Sequence, residues 1–106
     1  MSEPARLPES MRALLWDHDI ESMSVDHDRG LIIERILAHG DLPHIRWAYA
    51  TYGEVELRAW IRRTRGRALP RKPLLFWARR LDVPSDELSR WLEERQRSRF
   101  WRGLDA

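Results

Sequence analysis

No cysteine occurs anywhere in the 106 residues. That absence removes disulfides, zinc–thiolate centres and thiol nucleophiles together, and it suits a chain that works in the cytoplasm. No apolar run approaches the roughly 18–20 residues of a membrane-crossing helix, so no membrane partner is expected. The opening MSEPARLPES has no basic stretch followed by an apolar one, and no secretion signal is read there. Glycine is sparse at five residues. None stands in a phosphate-cradling or dinucleotide-binding pattern, and there is no G-x-S-x-G elbow for a serine nucleophile. The strict alternation that marks a half-buried strand is almost missing as well.

Chemistry that depends on clustered charge finds little support. In WDHDIESMSVDHD (16–28), Asp17, Asp19 and Glu21 alternate as they would in a calcium loop. From Asp17, however, the sixth position is Ser22 where glycine is needed, and the twelfth is Asp28 where a bidentate glutamate is needed. The stretch reads instead as a turn that supplies helix caps. His18, His27, His39 and His44 make no H-x-x-x-H pair, so no metal is expected. Glu93 and Glu94 are adjacent and therefore fall on different sides of a helix, a poor geometry for paired acid/base work. No catalytic residue and no cofactor is expected, and the chain reads as non-enzymatic.

What the chain has in excess is arginine. All but one of the nineteen basic residues are Arg, the exception being Lys72. The formal net charge of +2 conceals a division. Residues 1–55 hold five basic and ten acidic side chains, net −5, while residues 56–106 hold fourteen and seven, net +7. Nine basic residues and no acid lie from Arg58 to Arg80. Within that span RRTRGRALPRKP (62–73) concentrates Arg62, Arg63, Arg65, Arg67, Arg71 and Lys72. Such an unopposed run marks a surface for nucleic acid or for an acidic protein. A general bias toward arginine would leave the same composition.

Periodicity predicts an all-α fold, a compact bundle of five or six short helices. Residues 1–9, with Pro4 and Pro8, read as a flexible leader, residues 10–95 as one helical domain, and residues 96–106 as a frayed basic tail. Ile32, Ile33, Ile36 and Leu37 form one buried stripe. Asp26 or Asp28 is expected to cap that helix, and Gly40 to end it in the left-handed conformation. Asp41 caps the next helix, Pro43 suits its first turn, and Ile45, Ala48, Tyr49 and Tyr52 face inward. Leu57, Trp60, Ile61 and Thr64 repeat at i, i+3, i+4, i+7 in the following helix, which Gly66 closes. Beyond RALPRK, the inward residues are taken as Leu74, Leu75, Ala78 and Leu81. Leu88, Trp91 and Leu92 form the inner face of the last helix.

Of the six tryptophans, Trp60 and Trp91 continue apolar stripes and are expected in the core. Trp47 and Trp77 sit to one side of theirs and are the expected anchors for a protein partner. A helix-turn-helix arrangement in the C-terminal half is the alternative, with the Arg62–Lys72 strip along DNA phosphates. TRGRALPRK is long for the turn of that motif, and no helix shows an Asn/Gln/Arg/Ser face for reading bases.

LLWDHD, LIIERILAHGDLPHIRWAYATYG and LPRKPLLFWARRL together resemble a family of short bacterial proteins built on a domain of unknown function. The matching pieces are Trp16-Asp17, Ile33-Glu34-Arg35, Gly40-Asp41, Trp47, Tyr52-Gly53, Phe76-Trp77 and Leu81, over roughly residues 12–95. The resemblance implies a small helical protein, often encoded beside a nucleotidyltransferase-fold toxin of the abortive-infection type. By that analogy the chain is an antitoxin-like partner of a toxin enzyme. The family supplies no functional residues to carry over.

Overall fold

Four branched or long aliphatic side chains, Ile32, Ile33, Ile36 and Leu37, set the centre of the molecule. They lie on helix α1 (Arg29–His39), and all four are buried. The computed structural model of the chain describes residues 7–105, with side chains described through Ser98. Within it α1 packs against α2 (Leu42–Thr51), α3 (Gly53–Thr64) and α4 (Arg71–Arg80). Two 3-10 turns, Glu9–Ala13 and Ile20–Ser22, cover the bundle with Met11, Leu15 and Ile20. A fifth helix, α5 (Ser85–Asp105), docks through Trp91. The expected all-α bundle of five or six helices forms with five α-helices, and no strand occurs among the described residues. Of the leader, residues 1–6 lie outside the described residues; helix α5 runs on through 96–105, in place of the frayed tail expected there.

Local chemistry explains the boundaries. Asp28 stands at the N-cap of α1, but its carboxylate accepts the Ser24 backbone N–H at 2.8 Å and closes the preceding turn instead. Gly40 follows α1 with φ −73° and ψ 151°, which is extended rather than left-handed as expected. Its smallness is needed for space, because a Cβ there would lie 2.6 Å from the Ile36 carbonyl oxygen. Asp41 then opens α2, where the His44 ring ties the start of the helix together. His44 Nδ1 accepts the Asp41 N–H at 2.9 Å, and Nε2 lies 3.0 Å from the Ser10 carbonyl. Those two contacts fit one neutral tautomer, with the proton on Nε2.

Helices leave carbonyls unsatisfied at their C-terminal ends, and side chains from elsewhere in the chain serve several of them. Trp77, on α4, donates its indole N–H to the Leu37 carbonyl in the last turn of α1 at 2.9 Å. Arg58 donates to the Leu81 carbonyl just beyond α4 at 2.7 Å. Arg95 reaches the Leu69 carbonyl of the α3–α4 connection at 2.8 Å. Arg35 donates to the Leu14 carbonyl at 2.9 Å and grips both Asp17 carboxylate oxygens at 2.8 Å. Part of the arginine excess is therefore structural: these guanidiniums pin one element to the next.

Candidate partner-binding surface

The basic strip begins in the last turn of α3 and runs round a bend to the start of α4. Arg65 and Gly66 both take the left-handed conformation, with φ 55° and 63°. Leu74 Cδ1 approaches so closely that a Cβ on residue 66 would sit 2.3 Å from it. Only glycine satisfies both the dihedral and the space. The bend is thus seated on the inner face of α4, and Arg95 holds its carbonyls from the other side.

The bend divides the strip. Arg62 pairs with Glu87 at 3.1 Å, and Arg65 pairs with Glu94 at 2.8 Å, both acids belonging to α5. Those two cations staple α5 to the α3 end. Arg63, Arg67, Arg71 and Lys72 are exposed, and among the described residues none has a carboxylate within 4.0 Å. Four of the six predicted basic residues therefore form an open cationic surface, and two do not.

The predicted aromatic anchors fare differently. Trp77 is only 4% exposed. It is a core ring tied to Leu37, and the expectation that it anchors a partner is corrected. The inward face of α4 is Leu74, Trp77, Ala78 and Leu81, a regular i, i+3, i+4, i+7 set. Leu75, expected inside, lies at the rim with 36% of its surface exposed. Trp47 is half-buried and stands edge-on to Tyr52, centroids 5.8 Å apart. It packs against the core and presents only part of its ring.

In place of Trp77, α4 exposes Phe76, at 59% of its surface, stacked edge-on against Trp77 at 5.0 Å between centroids. Phe76 and Leu75 line a groove of about 800 Å³ with Arg79, Arg80, Val83 and Leu88. Its side walls come from the turn after α4 and the first turns of α5. Asp82, at the C-terminal edge, is 3.4 Å from Arg58. The Tyr49 hydroxyl, on α2, is buried near Arg80, and burial pushes its phenol up against the opposing pull of that guanidinium. A second exposed ring, Trp16, is 79% exposed beside Leu14, Arg35 and His39 in a shallow depression.

Phe76, Arg79 and Trp16 were missed as surface residues by the sequence reading. For the first two the signal was present: once Leu74, Trp77, Ala78 and Leu81 are placed inside, positions 72, 75, 76 and 79 must face out. For Trp16, which lies between helices, no periodicity was available.

Among the described residues no group of three or more His, Asp or Glu side chains stands close enough to hold a metal ion. No helix among them is long and apolar enough to cross a membrane. These features define a small all-α module whose conspicuous surface is cationic with an exposed aromatic centre. A family of unknown function, DUF6922, matches residues 11–61. No curated protein and no solved structure matches the chain. The match runs from the first 3-10 turn to Ile61 in α3 and includes the Asp17–Arg35 pair and the Gly40-Asp41 junction. The Phe76-Trp77 and Leu81 part of the expected resemblance lies outside it.

Proposed function

We propose that the chain is a non-enzymatic binding protein that acts by seating a protein partner on the outer face of α4 and the neighbouring cationic bend. One observation carries this reading: an exposed Phe76–Leu75 pair lies in a groove edged by Arg79 and Arg80. Aromatic and arginine side chains are the types that dominate binding energy at protein interfaces. Solvent-exposed arginines also steer an acidic surface into place. The resemblance described above suggests the partner's class, a nucleotidyltransferase-fold toxin enzyme that the chain neutralises in antitoxin fashion, in the cytoplasm. Co-expression with the protein encoded beside it, followed by size-exclusion chromatography, tests the reading. Co-elution as a stoichiometric complex is the expected result, and separate elution at micromolar concentration would remove it.

A DNA-binding role of helix-turn-helix type has one feature in its favour, the four open cations Arg63, Arg67, Arg71 and Lys72. The outer face of α4 speaks against it, since it offers Leu75 and Phe76 where a base reader carries hydrogen-bonding side chains. If those four cations met phosphates, log K would fall against log salt with a slope of about −3.6.

A further inference from the structure

Resting on the protein-binding reading and sharpening it, we infer that the occupant of the α4 groove is an amphipathic helix of the partner whose apolar stripe is edged by carboxylates. Lys72, Leu75, Phe76 and Arg79 follow one another at i, i+3, i+4 and i+7 and form one outward stripe. Its two apolar members lie in the middle and a cation stands at each end. At the rise of an α-helix, Lys72 and Arg79 are about 10 Å apart along the axis.

Three observations select the occupant. The groove, at about 800 Å³, has room for several side chains rather than one. Val83 and Leu88 extend its apolar surface sideways to α5, so the floor suits a continuous apolar stripe. From Arg58 to Arg80 there is no acid, and the groove's own acid, Asp82, already faces Arg58. An acidic rim on the incoming segment would therefore meet Lys72, Arg79 and Arg80 without internal competition. A helix laid into a groove presents apolar anchors at i, i+3, i+4 and i+7, the same spacing as the stripe it covers. A nucleic-acid backbone would answer the cations but leave Leu75 and Phe76 uncovered.

The test uses the full chain and a fluorescein-labelled model peptide of about sixteen residues, with Leu at i, i+3, i+4, i+7 and Glu on both flanks. Fluorescence anisotropy reads the binding. The same peptide with Lys in place of Glu, and a short DNA duplex, serve as comparisons. Saturable binding of the Glu peptide is expected in the micromolar range. Phe76→Ala, and Lys72→Glu combined with Arg79→Glu, are each expected to weaken it by about tenfold or more. Arg12→Glu, in the first 3-10 turn, is expected to leave it unchanged. Equal binding of the Lys peptide, unchanged affinity in Phe76→Ala, or preference for the duplex would each overturn the assignment. So would sedimentation showing that the chain alone self-associates and that Phe76→Ala abolishes it, since the groove would then belong to a second copy. If the wild-type chain and Phe76→Ala hold a co-expressed partner equally well, the groove assignment falls, and what stands is a binding protein that meets its partner elsewhere on its surface. If the wild type holds none, the binding reading falls whatever the peptide does.

Discussion

Asp17 shows how a residue that invites a functional reading is absorbed by structure. Arg35 meets both its carboxylate oxygens and also reaches the Leu14 carbonyl, fastening the first 3-10 segment to α1. The hydrogen bond from Arg35 holds the carboxyl down at about 2, against an ordinary 3.8. A folded value below the unfolded one means that the pair's stabilisation is complete above about pH 4 and drains away as pH falls toward 2. Asp17→Asn is expected to be less stable at neutral pH and to show a flatter acid limb in urea titrations over that window. Tyr52 runs the opposite way. Its hydroxyl donates to the Val25 carbonyl at 2.8 Å, and burial pushes it from 10.0 up to about 12. Here stabilisation is complete below pH 10 and is lost as pH rises toward 12. Tyr52→Phe is expected to cost about 1 kcal/mol near neutrality and to flatten the alkaline limb. Trp77→Phe should keep most of the packing but orphan the Leu37 carbonyl, a loss of about 1–3 kcal/mol measured by denaturant unfolding.

Elements were legible wherever one periodicity decided them. The α1 stripe, the α3 register and the Asp41 start of α2 follow from spacing and capping chemistry alone. On α4 the expected inward set takes Leu75 and leaves Trp77 to one side, whereas Leu74, Trp77, Ala78 and Leu81 make the regular pattern. Exchanging Leu75 for Trp77 also turns Phe76 outward, since the outward face is the complement of the inward one. Gly40 was needed, but for room beside the Ile36 carbonyl, which no sequence pattern discloses. The groove itself joins α4 to Val83 and Leu88, residues of the next elements, and so depends on a tertiary arrangement. The same holds for Arg58 and Arg95, whose carbonyl partners are more than twenty positions away. The α3–α4 bend gives a clean element-level prediction. Gly66→Ala combines a strained positive φ with a clash on buried Leu74, and a loss of about 2–4 kcal/mol is expected in thermal unfolding. Arg95→Ala should speed amide exchange at Leu69 and its neighbours while leaving α1 protected.

Over the whole molecule, the opposition between an acidic first half and a basic second half is only partly visible in space. The acids that neutralise Arg62 and Arg65 are Glu87 and Glu94, from the basic half itself. Among the described residues, the members of the Arg58–Arg80 run that reach solvent with no carboxylate within 4.0 Å are a smaller set: Arg63, Arg67, Arg71, Lys72, Arg79 and Arg80. Association with an acidic partner is accordingly expected to slow markedly as salt rises, because exposed cations act mainly on the encounter. Stopped-flow mixing at two ionic strengths would check this, with dissociation changing far less than association.

Phe76 rests edge-on against Trp77, and Trp77 is bonded to the end of α1. Outside and inside therefore meet at a single pair of rings. Whatever settles over the phenyl group alters the surroundings of an indole that water scarcely touches, so the protein carries its own optical gauge of occupancy. With the other indoles replaced by phenylalanine, the emission of Trp77 alone would register arrival at α4 without any attached dye.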